Sequence, residues 1–387
     1  MHVLIVPTGI YPLPQRPLDC IFELQQAEAL LAAGVQVGVL SGGVITARYV
    51  GRRFRYEPFQ CVQGIPVYRS HRRAYFPARW EDPGTAASRS YRRLKPLLDR
   101  YVADHGRPDV VHAHNLAAGG LIARRIHAEL GIPYVVTEHT GTYVADSLSA
   151  VRDAALLVEA ASEASAVISV GTQLASALRE SLAGRSTATF EVVPNVVDPG
   201  LLDGPLREHR GTFTVAALGN LIPSKNYPLL VQAFAKATLP GDSGLVIGGT
   251  GPESKRILEV ADALSVSDRL TLPGHLDRPG VRDLLQGADL FAHPSNSESF
   301  GVVLIEAMAL GLPVLATASY GPQDIVTPDV GMLTPVGDVQ TFADGLSEMY
   351  QRRREFDSHR LRQTCRERFG PEVFASRMLA IYREAIA

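Results

Sequence analysis

Two carboxylates in an apolar run are the first residues that could do chemistry. Residues 295–317, SNSESFGVVLIEAMALGLPVLAT, hold only two charges, Glu298 and Glu306, separated by seven residues. Burying a carboxylate is costly unless something pairs with it. The preceding segment, DLFAHPS, reads as a strand ending at Pro294. Ser299 can then cap a helix that begins near Phe300 and runs to about Leu310, where Gly311 and Pro313 stop it. The unpaired N–H groups of Phe300, Gly301 and Val302, with the helix dipole, would make an anion site suited to a diphosphate. Gly301 would let the backbone approach closely. Glu298 would lie just before the helix, and Glu306 about two turns in, roughly 9 Å further on at about 1.5 Å per residue. A carboxylate accepts two hydrogen bonds, which suits vicinal hydroxyls. The reading is that Glu298 meets a sugar beyond the phosphates and Glu306 a ribose diol. The alternative is a capped structural helix with one satisfied internal carboxylate.

The elements that must position these residues repeat along both halves of the chain. HVLIV, VQVGVLS, PDVVHAH, PYVVTEH, ASAVISVG and FEVVPN read as strands. ELQQAEALLAAG, GGLIARRIHAELG and TQLASALRESL read as helices between them. The second half restarts with FTVAALGNL and continues through NYPLLVQAFAKA, SGLVIGG, PESKRILEVADALSV, LTLPG and VRDLLQGA. Alternating strands and helices of this length imply parallel sheets covered on both faces. Residues 197–211, rich in Pro, Gly and charge without a clear period, read as an interdomain linker. The expected fold class is α/β, with two Rossmann-like domains facing a central cleft. Ligands of such sheets bind beyond the carboxyl ends of the strands. Thr8, His114, His139, Asn195, Asn220 and Gly248 all fall there.

Composition excludes several classes. The 387 residues are 46% hydrophobic and 20% charged, ordinary for a globular protein with an ample core. Three scattered cysteines give no disulfide framework and no zinc spacing, so a reducing cytosol is the default expectation. The apolar run at the start breaks at Pro7 and does not resemble a secretory leader, and no stretch is long enough to suggest a membrane span. A dinucleotide fold would want G-x-G-x-x-G after a strand; GGTGPE lacks the third glycine and carries Pro252. There is no Walker G-K-[ST]. The net charge of −2 hides an imbalance: residues 48–100 carry thirteen basic residues against four acids. That asymmetry points to an anionic partner or to a solvated basic face. No nucleic-acid module is recognisable, and nucleic acid is not an expected partner. His112 and His114 could join His139 as a metal site, but alternate histidines are read as facing opposite ways on their strand, and no metal is expected.

The stretch at 295–317 resembles the E-x7-E signature of retaining glycosyltransferases with the GT-B fold. EVVPNVVD, ALGNLIPSKNYPLLVQAF, IGGTGPE and LPGHL resemble the family's other blocks, in its order and spacing. GIPYVVTEHTG resembles its acceptor-side histidine block. The resemblance covers nearly the whole chain and is weakest over residues 44–104. It implies an acceptor-binding domain over residues 1–198 and a donor-binding domain over 199–370, with a last helix, about 371–387, crossing back to the first. It implies that Glu298 contacts the transferred sugar, Lys225 the diphosphate, Glu306 the ribose, and that His139 lies near the reacting sugar. Gly219, Asn220, Gly249, Ser299 and the backbone of Phe300, Gly301 and Val302 would complete the donor side. Thr8, Gly9 and His114 would lie on the acceptor side. Two departures stand out: Asn220 occupies the place of the usual arginine, and PLPQRPLDC replaces a glycine-rich first loop.

The family relation further implies transfer of a hexose from a nucleotide-diphosphate sugar, UDP favoured and GDP next, with retention by same-face attack. No cofactor and no metal are expected, in keeping with the absence of any D-x-D. The acceptor would be a glycan, a lipid-linked or a small molecule, in bacterial cell-surface polysaccharide or glycoconjugate synthesis. SRSYRRLKPLLDRYVADHG places Tyr91, Leu94, Leu98 and Tyr101 at helical spacing with arginines between. It reads either as a surface helix packed on its sheet or as a basic patch, with Arg92 and Arg93, that meets an anionic membrane from the cytoplasmic side. A nucleotide-sugar epimerase or a non-catalytic member of the same fold is the alternative.

Overall fold

The structure is a computed structural model that describes residues 1–13, 19–46, 56–74, 82–140, 154–184, 186, 188–207 and 211–387. Residues 14–18 of the proline-rich first loop and residues 48–55 and 75–81 of the basic 48–100 stretch lie outside these. The chain divides into two compact units, Met1–Val196 with Pro371–Ala387, and Val197–Gly370.

In the first unit the strands are β1 (His2–Val6), β2 (Gln36–Ser41), β3 (Val44–Thr46), β4 (Phe59–Val62), β5 (Ile65–Arg69), β6 (Arg72–Ala74), β7 (Val110–His114), β8 (Tyr134–Glu138), β9 (Ala166–Ser169) and β10 (Thr189–Val192). The main sheet runs β10-β9-β8-β7-β1-β2-β5-β4, while β3 and β6 pair apart from it. The expected parallel pairing holds through this sheet except at its edge, where β4 runs antiparallel to β5. Gln63 and Gly64, both at positive φ, make the two-residue turn that permits this hairpin. The inner strands are rich in valine and isoleucine and buried along their length, as both faces of a covered parallel sheet require.

The helix Pro83–His105 shows how sequence sets an element here. Asp82 accepts from the Thr85 N–H at 2.6 Å, Pro83 opens the first turn, and Gly106 at φ 86 follows the end. Ala87, Tyr91, Leu94, Leu98 and Tyr101 form its buried stripe, and Arg92 and Arg93 are exposed on the other side. The helix Pro371–Ile386 adds Phe374, Met378, Ile381 and Tyr382 to the core that β1, β2 and β7 share.

The second unit has β11 (Thr214–Leu218), β12 (Gly244–Gly248), β13 (Leu270–Gly274), β14 (Leu290–His293), β15 (Val314–Thr317) and β16 (Gly331–Thr334). They form one parallel sheet in the order β13-β12-β11-β14-β15-β16. In both sheets the strand order reverses beside the first strand, β1 or β11. The crevice at that point is where such sheets take ligands.

The segment read as a linker belongs to the second unit. Asp198 caps a short helical turn, Pro199–Leu202, through the Gly200 N–H, and Leu201 and Leu202 are buried. Arg207 donates to the Gly311 carbonyl and pairs with Asp289. A single helical turn is too short to show a period, which is why the sequence read it as loop.

Candidate active site

The geometry beyond β14 sets the surroundings of the two carboxylates. His293 ends the strand, and Ser295, Asn296 and Glu298 follow in an extended loop. Glu298 is fixed by its backbone: its N–H donates to the Ser319 carbonyl at 3.0 Å, and its carbonyl accepts from the Gly321 N–H at 2.8 Å. The loop is laced to a second loop carrying Lys225. The Asn296 N–H donates to the Ser224 carbonyl at 2.8 Å, and the Asn226 amide donates to the Asn296 side chain at 2.9 Å. Lys225 ends a 3₁₀ turn, Pro223–Lys225, that follows β11. These two loops, 73 residues apart in sequence, bring the Lys225 ammonium onto the Glu298 carboxylate.

His293, almost fully buried, completes the cluster. Its Nε2 lies 3.1 Å from Glu298 Oε2 and 3.0 Å from Ser295 Oγ. Burial alone would raise the Glu298 carboxyl; the His293 hydrogen bond and the Lys225 charge outweigh it and bring the group down to about 2. Both contacts fall on one oxygen, Oε2. Glu298 and Lys225 were picked from the sequence as separate contacts, and the structure joins them. His293 was not picked, although a histidine at a strand end before proline was the available signal.

Ser299 does not cap the following helix. The helix is Val302–Ala309, and its first flanking residue is Gly301 at φ 99, with no side-chain cap. Only glycine enters that left-handed region freely, so Gly301 takes the place expected of Ser299. The helix proper therefore begins at Val302, the Leu304 N–H is taken by the Gly301 carbonyl at 2.9 Å, and Phe300 is buried with its ring against Phe369. Glu306 lies within this helix, partly exposed, and burial pushes its carboxyl up to about 7; nearby Asp198 adds to the rise and Arg278 opposes it. The Asp198–Arg278 pair, at 3.4 Å, escaped the sequence reading.

Gly219 and Gly249 sit together beyond β11 and β12. A Cβ on Gly249 would stand 1.9 Å from the Gly219 carbonyl oxygen, so the two loops touch backbone to backbone. Asn220 follows, exposed, its carbonyl accepting from the Ile222 N–H.

In the first unit the candidate residues also gather at strand ends. His114 Nδ1 and His139 Nε2 lie 2.9 Å apart with their rings stacked. Burial lowers His139 to about 3 and His114 well below its ordinary value, so both are neutral. Their outer nitrogens, His114 Nε2 and His139 Nδ1, are buried without a hydrogen-bond partner among the described residues. Glu138 arranges this corner by accepting the N–H groups of Leu116, His139 and Thr140. His112 and His114 do not face opposite ways. Residues two apart on a strand share a face, and these rings are 4.4 Å apart. His112 is occupied by Thr137 and Tyr382, each at 2.7 Å.

The Thr8 N–H donates to both oxygens of Glu23, and the Gly9 carbonyl accepts from Ser41 Oγ. Glu23 is fully buried and raised to about 7 by that burial. Gln26 bonds Asn195 at 2.9 Å in the same buried layer. Glu23 and Gln26 were missed because a helix face of buried polar residues has no distinct period. Arg92 and Arg93 lie elsewhere, on the exposed side of their helix; Arg93 Nη1 reaches the His71 carbonyl at 3.4 Å.

Comparison with known proteins agrees with this architecture. Residues 204–368 match the family described as glycosyl transferases group 1, and residues 24–201 match glycosyltransferase family 4. D-inositol 3-phosphate glycosyltransferase of Kribbella flavida is 31% identical over 325 residues, 73% of each chain. The chain belongs to this glycosyltransferase family. The enzyme of the same name from Mycolicibacterium smegmatis is 34% identical over 274 residues, 63% of this chain and 60% of that one. N-acetyl-alpha-D-glucosaminyl L-malate synthase of Bacillus anthracis is 35% identical over 44% of this chain and 45% of its own. The chain thus spans about half to three fifths of the length of these last two relatives. Among solved structures, sucrose-phosphate synthase from Thermosynechococcus elongatus superposes with TM-score 0.74 at 20% identity over 99% of both chains. Anabaena HepE in complex with UDP gives 0.71 at 19% identity, over 98% of this chain and 99% of that one. The fold of the chain is GT-B.

Proposed function

We propose that the chain transfers a hexose from a nucleotide-diphosphate sugar to an acceptor, with retention and without a metal. The observation that carries this is the Lys225–Glu298–His293 cluster at the carboxyl end of β14. A lysine there supplies the positive charge that a departing diphosphate needs. An ionised carboxylate with one oxygen still available suits a sugar hydroxyl. The amides of the first turn of Val302–Ala309 add donors for phosphate, and Glu306 accepts the ribose diol. The chain contains no D-x-D, the usual metal-holding motif of single-domain sugar transferases.

Retention follows from attack on the face the diphosphate leaves. The C1–O bond to the phosphate breaks, the acceptor oxygen bonds C1, and the departing phosphate oxygen takes the acceptor proton. No side chain then acts as general base; Lys225 and Glu298 stabilise and position. UDP is the favoured nucleotide and GDP the next, and the HepE complexes with UDP and UDP-glucose support that order. The first unit binds the acceptor, a glycan, a lipid-linked or a small molecule. The neutral His114–His139 pair offers one donor and one acceptor to a hydroxyl. The relatives that act on D-inositol 3-phosphate and L-malate make a small anionic acceptor a reasonable starting point. No described helix is long and apolar enough to cross a membrane, and Arg92 and Arg93 would hold the protein at an anionic surface, as polysaccharide or glycoconjugate synthesis would use.

Thermal unfolding with UDP, GDP, ADP and TDP in turn tests the reading. A ligand that binds only the folded state at about 100 times its dissociation constant adds about 2.7 kcal/mol. One nucleotide should raise the midpoint, and Lys225→Ala should abolish the rise. No rise with any of them at millimolar concentration overturns the reading in favour of a non-catalytic member, which the uncharged Asn220 would explain.

A further inference from the structure

We propose that His293 is a positioning residue for the donor sugar: its Nε2–H holds the Glu298 carboxylate in place when a diphosphate draws Lys225 away. This rests on the reading above, in which Glu298 meets the sugar and Lys225 the diphosphate.

Three observations carry it. The first is the direction of the hydrogen bond. An ionised carboxylate only accepts, so the proton between His293 Nε2 and Glu298 Oε2, 3.1 Å apart, belongs to the histidine. Ser295 Oγ, 3.0 Å from the same nitrogen, accepts part of that proton. Glu298 therefore fixes the tautomer of a neutral ring, and the ring in return fixes the carboxylate. The second is the choice of oxygen. Lys225 and His293 both use Oε2, which leaves Oε1 to a hydroxyl without either contact being broken.

The third is the difference in mobility between the two partners. Lys225 sits on a surface turn with its side chain 21% exposed and a flexible stem. His293 is 1% exposed and belongs to the sheet, paired in register with Ala316 of β15. Thr317 at the end of that strand ties down the next loop by donating to the Ser295 carbonyl. A diphosphate competes with Glu298 for the ammonium. Once the ammonium turns to it, Glu298 is a buried carboxylate that has lost its counter-charge. The histidine contact is the one that remains, and it is too deeply built in to move. On this account the Lys225–Glu298 pair belongs to the donor-free state and the His293–Glu298 pair to every state.

The test is the affinity of UDP against UDP-glucose, and of GDP against GDP-mannose, for the wild type, His293→Leu and His293→Gln. Leucine fills the space without a donor; the glutamine amide can put an N–H where Nε2 stood. The ratio of sugar-nucleotide to nucleotide affinity should fall about tenfold in His293→Leu, the size of one hydrogen bond to a charged group, and return most of the way in His293→Gln. Affinity for the free nucleotide should fall as well, but by less, because its diphosphate also draws Lys225 away while nothing in it reads the position of the carboxylate. An unchanged ratio in His293→Leu overturns the proposal while leaving the function intact. Equal loss of nucleotide and sugar nucleotide also overturns it, since the histidine would then only support the fold. A Gln variant as impaired as the Leu variant removes the N–H from the argument. Failure of the wild type to bind any of the four ligands instead overturns the functional reading, and this inference with it.

Discussion

The loop that carries Glu298 and the helix that carries Glu306 treat the same side chain in opposite ways. Both acids come from one apolar stretch and both lose water. Glu298 gains an ammonium and an imidazole N–H, and stays ionised down to about 2. Glu306 gains no described hydrogen bond, feels Asp198 more than Arg278, and protonates near 7. Burial sets the sign of a shift only where nothing is placed to answer it. The contrast also separates two uses. A carboxylate held by a partner built into the sheet is arranged before any ligand arrives; on the proposed function, one without a described partner takes its partners from the ligand.

Exchange of each acid for its amide is the largest test of that contrast. The Glu298 carboxyl is lower in the folded chain than in the unfolded one. Its contribution is therefore complete above about pH 4.5 and lost as pH falls through about 2. Glu298→Gln should lower stability by about 1–3 kcal/mol at about pH 8, and by a similar amount at about pH 5. The Glu306 carboxyl is higher in the folded chain. It costs nothing below about pH 4.5, and the cost grows until about pH 7. Glu306→Gln should therefore raise stability at about pH 8, by about 1–2 kcal/mol because the group is partly exposed, and leave it unchanged at about pH 4.5. Urea unfolding at each of these pH values reads both. The comparison breaks if the two amides shift stability in the same direction at about pH 8.

The sequence showed this site in outline and missed its joints. Valine-rich strands, proline and glycine at element ends, and the two acids at fixed spacing are local signals, and they located β11, β14 and the helix behind them. What is held together across 73 residues has no local signal, so Lys225 and Glu298 read as two separate contacts. Ser299 looked like a cap because cap preferences describe side chains, whereas here a positive φ at Gly301 ends the loop. The histidines of β7 were assigned to opposite faces although a strand repeats every two residues. In the first unit the buried polar layer of Glu23, Gln26 and Asn195 was invisible because it obeys tertiary neighbours and not periodicity.

That first unit offers a smaller and sharper test. Where a buried pair is neutral on both sides, its removal should cost stability without any dependence on pH. Tyr382 and His112 show this best. The hydroxyl lies 2.7 Å from Nδ1, and both groups are fully buried. His112 is lowered to about 3 and Tyr382 raised well above its usual value, in each case by burial. Neither changes charge between about pH 5 and 8. Tyr382→Phe should lower stability by about 1–2 kcal/mol, the cost of leaving one buried nitrogen unsatisfied, and by the same amount at both ends of that range. A loss that grows toward low pH would show His112 charging there, and the neutral account of this layer would fail.

The smallest effect belongs to charges that are not buried at all. Arg92 and Arg93 are exposed on the helix Pro83–His105, whose buried stripe of Ala87, Tyr91, Leu94, Leu98 and Tyr101 lies on its other side. If partners and burial govern the acids, reversal of two solvated charges should hardly register in stability. Arg92→Glu with Arg93→Glu should change it by no more than about 0.5 kcal/mol. The same pair separates folding from docking. Each basic side chain near an anionic bilayer contributes about 1 kcal/mol of attraction, and replacement by an acid also adds repulsion. Sedimentation with vesicles of mixed phosphatidylcholine and phosphatidylserine should therefore fall for the double variant at low salt, and the wild type should lose its binding as salt rises. Equal sedimentation of the two proteins would assign the arginines to a solvated face. A large loss of stability would mean that exposure is a poor guide to the cost of a charge in this chain, and the contrast between Glu298 and Glu306 would then need a cause other than burial.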